Sequence, residues 1–391
     1  MTAAARAVIA VRGPDEARVV AALDAHPGIV VVRRCPDLAE AIAVAQAGLG
    51  TVVIVSDQPH LDADAVASIR SAGVGLVGVA SGPAPRLDML GIRIAREDLV
   101  DAVLAAVARP APALAAPVPR GEGGLVAVWG TGGAPGRTTV AVNVAAEAAI
   151  AGHRTLLVDL DMYGASIATA LGLVDEAPGV AAVTRAATRG EDVAAALSRQ
   201  LTEVAPRLSV LTGLPRAARW PEVTPGGLER LWPALRAAAD VVVVDVAAPV
   251  DPGGGSLARP GRDGATLAAL AEADVVLAVG GAEPHQLVRL VQALVDHEGP
   301  APVVAVNRIR SSVAGSRPED AIAASLGRHA GVTEVWPLPW DPRACDAAAR
   351  EGRALAEVAP RSPLRAAIAS MGAALVEDAR ASRRSPAAVT D

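Results

Sequence analysis

The segment Leu125-Val-Ala-Val-Trp-Gly-Thr-Gly-Gly-Ala-Pro-Gly-Arg-Thr-Thr139 decides the fold. Its apolar run predicts a buried strand, and the glycine-rich turn that follows cannot continue it. An amphipathic pattern from Val140 to Ala151 then predicts a helix. Strand, small-residue loop and helix in that order are the layout of a phosphate-binding loop. Glycines let backbone N–H groups converge on phosphate oxygens, the helix N-terminus adds partial positive charge, and a hydroxyl opening the helix can ligate Mg²⁺. Against the pattern GxxxxGK[ST], the first glycine position is Thr131 and the lysine position is Arg137. Taken alone, the loop leaves a glycine-rich turn with no ligand as the lesser alternative.

Other strand ends supply company for it. Leu156-Leu-Val-Asp-Leu-Asp-Met-Tyr-Gly164 places Asp159 and Asp161 at the carboxyl end of a neighbouring strand. Asp240-Val-Val-Val-Val-Asp245 is an apolar strand ending in a carboxylate, the pattern that holds a Mg²⁺ hydration shell. Val303-Val-Ala-Val-Asn-Arg308 ends in Asn-Arg, and Leu338-Pro-Trp-Asp-Pro342 closes a last strand. Further strands are expected at Leu208–Leu211, Val275–Val279 and around Val335–Leu338. The glycine-rich stretch Pro252–Gly264 reads as a second phosphate loop or as a partner-facing switch loop.

Upstream, β-branched runs at Ala7–Val11, Ile29–Arg33, Thr51–Val55, Gly75–Val79 and Gly91–Ile94 alternate with helical patterns near 15–25, 37–47, 62–72 and 97–108. Such alternation predicts an open parallel sheet covered by helices. This half resembles a response-regulator receiver domain in architecture but not in chemistry. Arg12 and Gly13 follow the first strand, Asp15 and Glu16 come later, Asp57 follows Ser56 at the third strand end, and no lysine exists anywhere. The expectation is a pseudo-receiver used for docking over 1–108, an Ala/Pro-rich linker over 109–123, the nucleotide-binding domain over 124–380 and a flexible tail over 381–391. The fold class is thus α/β, with two three-layer parallel-sheet domains.

Composition sets outer bounds. The 391 residues are 52% hydrophobic and 20% charged, which excludes disorder over most of the chain. No apolar run reaches the roughly 18–20 residues of a bilayer crossing. The N-terminal MTAAARAVIAVRG breaks at Arg12, too early for a signal-peptide core, so a cytoplasmic protein is expected. Cys35 and Cys345 are isolated and the 6 histidines lack metal-ligand spacing, which argues against a zinc site or an iron–sulfur cluster. A net charge of −6 gives no global pull toward nucleic acid or anionic lipid. The last helical pattern, 363–378, puts Leu364, Ala367, Ile368, Met371 and Leu375 on one face; without basic density opposite, it is expected to pack on the domain rather than grip a membrane.

In this order and spacing the strand ends resemble those of the MinD/ParA superfamily of deviant-Walker ATPases. With a receiver-like domain in front, the chain resembles the CpaE/TadZ branch, which helps place Flp/Tad pilus machinery and has septum-site-determining-like actinobacterial relatives. The resemblance implies ATP or ADP with Mg²⁺ as ligand. It implies that the backbone of Gly133, Ala134, Pro135, Gly136 and Arg137 cradles the β- and γ-phosphates, with Thr138 on Mg²⁺ and Thr139 on the α-phosphate. It makes Asp161 the carboxylate that positions the attacking water, Asp159 and Asp245 holders of metal-bound water, Asn307 the partner of the adenine ring, and the backbone from Pro339 to Asp341 a closure over the base. For Asp159 and Asp161 a polar strand end remains the alternative, and for Asn307 a turn residue.

Two departures bear on the chemistry. The signature lysine of this superfamily, which reaches the partner subunit's nucleotide, falls on Gly132. The loop lysine is Arg137, a planar fork rather than a compact point charge. Binding is therefore expected to survive and hydrolysis to be slow. The resemblance implies an ATP-dependent homodimer that organises pilus, secretion or division machinery through its N-terminal domain. The competing readings are a non-hydrolysing pseudo-ATPase scaffold and a ParA-type DNA partitioner, the latter disfavoured by the net charge.

Overall fold

The computed structural model describes residues 4–58, 61–82, 84–96, 98–108, 123–133, 136–173, 179–248 and 261–384. The linker residues 109–122, Ala134, Pro135 and residues 252–260 of the glycine-rich stretch lie outside them. The chain forms two compact units, each with its own sheet.

The first unit is a parallel sheet of β1 (Ala5–Ala10), β2 (Ile29–Arg34), β3 (Val52–Ser56), β4 (Gly75–Val79) and β5 (Ile94–Ala95), in the order β2-β1-β3-β4-β5. That is the flavodoxin-like doubly wound order. Strand periodicity explains the two cores. Val8, Ala10, Val53 and Val55 enter one apolar cluster, while Ala7, Ile9, Val52 and Ile54 enter the other, because successive side chains leave opposite faces. The first cluster is covered by helices Leu38–Gln46 and Ala63–Ser71, each opened by an aspartate: Asp37 accepts from Glu40 N and Asp62 from Ala65 N. Helices Asp15–Asp24 and Leu99–Ala108 cover the second through Val19, Leu23, Leu99 and Val103. The five-residue helix Pro85–Met89 carries too short a pattern to be read from sequence.

The second unit holds β6 (Gly124–Gly130), β7 (Thr155–Leu160), β8 (Thr202–Ala205), β9 (Leu208–Leu211), β10 (Val241–Val246), β11 (Val275–Gly281), β12 (Val303–Ile309) and β13 (Val335–Pro339). Their order is β13-β12-β11-β6-β10-β7-β9-β8, parallel throughout except for β8, which runs antiparallel to β9. Sequence reasoning misses β8 because this short edge strand is polar and half-exposed. β6 lies centrally, between β10 and β11, so the glycine loop emerges at the carboxyl ends of the inner strands, where open α/β sheets bind ligands.

Two helices close one face. Helix Arg137–Ile150 begins three residues before its apolar pattern does, and buries Val144 and Ala145 in a cluster shared with Leu364, Ile368, Met371 and Leu375 of helix Pro363–Arg384. The latter continues past residue 380 because Arg383 reaches Asp274 at 2.8 Å. Asp274 also accepts from Leu125 N and, at 2.6 Å, from Arg236, a fully buried arginine that donates to Gly123 O as well. This network pins the entry of β6. Among the described residues no helix is long and apolar enough to cross a membrane.

Candidate nucleotide site

β6 ends at Gly130, and the chain must reverse to start a helix at Arg137. Gly133 (φ +73°) and Gly136 (φ +93°) take the left-handed conformations this reversal needs. A Cβ on Gly136 would also lie 2.5 Å from Asn307 Nδ2. The asparagine expected to read a base therefore stands against the helix end of the loop, at the tip of β12. Pro339 ends β13 and pairs with Ile309 beside it. Thr139 O accepts from Asn143 Nδ2, and Asn143 Oδ1 accepts from Leu355 N, which fixes the helix start against a distant turn.

The hydroxyl expected at the metal faces a strand-end carboxylate. Thr138 Oγ1 donates to Asp245 Oδ2 at 2.6 Å and lies 3.0 Å from Ser166 Oγ. Asp245 is paired in register with Asp159 across β10 and β7. Burial pushes both carboxyls above their ordinary range, with the Asp159 charge adding to the rise at Asp245 and the Asp161 charge contributing at Asp159. Asp245 Oδ1 is buried with no hydrogen-bond partner, an arrangement that costs free energy until something positive or donating meets it. A hydrated divalent cation fits this niche. Among the described residues no group of three or more His, Cys, Asp or Glu side chains could hold an ion unaided.

The other two carboxylates do different things. Asp159 Oδ1 accepts from Asp161 N, and its Oδ2 accepts from Ser166 N and Ile167 N; it organises the turn that delivers Ser166 to Thr138. Asp161 Oδ1 accepts from Tyr163 N and Gly164 N, while Oδ2 faces Arg137 Nη2 at 3.2 Å. The loop's cation is thus turned onto the carboxylate expected to position water, with Nη1 at 3.5 Å from Gly130 O.

Tyr163, Arg262, Gln286 and Arg289 carry no sequence signal of their own. Tyr163 donates to Asp263 Oδ1 at 2.6 Å, and the Arg262 guanidinium stacks 3.9 Å over its ring, so the turn after Asp161 is tied to the segment that precedes helix Gly264–Glu272. Gln286 donates to Gly133 O and Arg289 to Gly132 O. Arg308, at φ +61°, and Arg310 lie over the Trp340 ring, and Arg310 pairs with Glu283 at 2.9 Å. Trp340 is 40% exposed, whereas Trp232 is buried.

In the first unit Asp15 and Asp57 have separate partners. Asp15 accepts from Ser81 and Arg18, in that order the causes of its lowered pKa. Asp57 is exposed, 3.5 Å from Arg86.

A hydroxylated helix start on a buried strand-end carboxylate, below a glycine loop, defines a P-loop NTPase domain. The model of the CobQ/CobB/MinD/ParA nucleotide binding domain family matches residues 126–354, more than half of the chain, and the protein belongs to that family. Comparison with curated proteins finds no match. Among solved structures, the chain is similar to a ParA family ATPase from Chlorobium tepidum, at 19% identity over 64% of this chain and 98% of that one, with a TM-score of 0.53. It is similar to the cell division ATPase MinD of Pyrococcus furiosus, at 19% identity over 66% and 98% with a TM-score of 0.50. It is also similar to the septum site-determining protein MinD from Pyrococcus horikoshii, solved with Mg-ADP, at 17% identity over 63% and 93%, again with a TM-score of 0.50. At such identities the likeness is one of fold.

Proposed function

We propose that the protein binds MgATP and MgADP, hydrolyses ATP slowly, and works as a nucleotide-switched homodimer that positions a larger assembly. The observation that carries this reading is Thr138 Oγ1 at 2.6 Å from Asp245, whose second oxygen is buried and bare. Thr138, Asp245 and, through the turn it builds, Asp159 would hold the hydrated ion, which neutralises phosphate charge when bound. The backbone from Gly133 to Thr139 would receive the phosphates, Asn307 the adenine edge and the chain at Pro339 its face. Asp161 can orient a water only after releasing Arg137, which is the physical ground for slow turnover.

The first unit would serve as a receiver-like docking module. Asp15 is tied to Ser81 and Arg18, and Asp57 faces Arg86. The assembly it addresses would be Flp/Tad-type pilus or secretion machinery, or the division septum, with the protein in the cytoplasm and recruited by partners. The Arg137–Asp161 pair favours one alternative, a scaffold that binds nucleotide without cycling. Steady-state phosphate release by wild type and Asp161→Ala, with solution mass recorded in ATP and ADP, separates the two. Slow release abolished by the substitution, with a dimer in ATP, supports the switch. Nucleotide binding with no release from either protein leaves the scaffold.

A further inference from the structure

A nucleoside triphosphate brings several negative charges to a loop that has no lysine, and whose own arginine, Arg137, is engaged with Asp161. Arg308 and Arg310 are stacked on Trp340, with Arg310 also paired to Glu283. Another cation stands at the loop. Arg289 Nη1 donates to Gly132 O at 3.0 Å, and a Cβ on Gly133 would come within 3.2 Å of the same nitrogen. The missing side chain of Gly133 thus leaves a shelf that a guanidinium occupies.

The placement is built rather than incidental. Helix Pro284–Val295 is drawn onto β11 because Gly280 and Gly281 have no side chains: a Cβ on Gly280 would lie 2.5 Å from buried Leu290, and one on Gly281 would overlap the Gln286 amide oxygen. Gln286, itself buried, then donates to Gly133 O at 3.1 Å. One turn of helix is therefore stapled to the first arm of the loop, and Arg289 follows within that turn. Among the described residues it has no carboxylate partner, and it is exposed. Its donors come as a planar fork suited to phosphate.

We infer that Arg289 is the phosphate-binding cation of this site, supplied by the helix after β11 in place of a lysine in the loop. The inference rests on the nucleotide-binding reading above. Its test is calorimetric titration of the full chain with MgATP at two salt concentrations, for wild type, Arg289→Gln and Arg289→Lys, with apo thermal midpoints recorded. The expected result is that Arg289→Gln weakens MgATP binding about tenfold or more, flattens its salt dependence and leaves the apo midpoint in place. Arg289→Lys should recover part of the affinity. Wild-type affinity in Arg289→Gln would overturn the inference while leaving nucleotide binding intact. So would weaker binding with unchanged salt dependence and a lowered midpoint, since that is the mark of a packing role. No binding by wild type would overturn the nucleotide reading, and this inference with it.

Discussion

The Arg137 guanidinium lies 3.2 Å from the Asp161 carboxylate, and both side chains are largely withdrawn from water. Arg137 is also one of the influences that lower the Asp245 pKa against the effect of burial. One arginine therefore steadies a site that otherwise gathers like charges. Arg137→Ala should cost about 3 kcal/mol of stability, as removal of one partner from a mostly buried pair does.

The same substitution carries a pH signature. Asp159 and Asp245 bind protons more tightly folded than unfolded, because burial raises both above the ordinary 3.8. Their neutral forms support the fold at low pH, and that support is lost as pH climbs past the unfolded value toward the raised one. Arg137 acts on Asp245, which is raised to about 8, and without it that rise is larger, so the gap in thermal midpoint between wild type and Arg137→Ala should widen as pH climbs through about 8, from pH 7 to pH 9. A constant gap would contradict the shared-charge account.

Asp245→Asn removes a buried charge whose Oδ1 has no partner. The nucleotide-free protein should be as stable as wild type or more so at pH 8, with a flatter pH profile, while Mg²⁺-dependent nucleotide affinity falls at least about tenfold. Thermal melts with and without MgADP read both effects. A variant that loses stability and keeps Mg²⁺-dependent binding would refute the metal assignment.

Arg236 is 1% exposed and holds Glu272, Asp274 and Gly123 O together beneath β6. Arg236→Ala leaves Gly123 O without its donor and the two carboxylates with Arg383 as their remaining cation, and should destabilise the fold by about 3 kcal/mol. Urea unfolding of the full chain measures it, and a loss under 1 kcal/mol would show that water replaces the network.

Tyr163→Phe deletes the 2.6 Å hydrogen bond to Asp263 and leaves the ring under Arg262. The expected stability loss is about 1 kcal/mol. Because the bond ties the turn after Asp161 to the start of the helix that follows β10, protease cleavage near residue 262 should quicken. Unchanged cleavage would mean that the Arg262 bonds to Met162 O suffice.

Much of this was legible in the residues themselves. The inner strands of both sheets follow their β-branched runs within a residue or two at most ends, since buried parallel strands leave little choice of side chain. Thr138 meets Asp245, and Asn307 stands against Gly136, because each lies near a strand end or a helix start at the carboxyl edge of one sheet. Asp159 and Asp161 were legible as a pair, but not their division of labour, which depends on which backbone amides each captures. Arg137 on Asp161 and Arg289 on Gly132 were beyond reach, because an arginine's destination is decided by packing many residues away. Strand β8 and helix Pro85–Met89 are short and partly polar, and carry too few periods to register.

The most direct test of the central claim is calorimetry of MgATP binding to wild type and Thr138→Ala, with mass in solution recorded in each state. The account predicts micromolar binding by wild type that produces a dimer, and loss of the Mg²⁺-dependent part of that affinity when the hydroxyl facing Asp245 is removed. A folded wild-type protein that binds neither MgATP nor MgADP would contradict it, and would leave a scaffold that keeps the shape of a nucleotide site without its ligand.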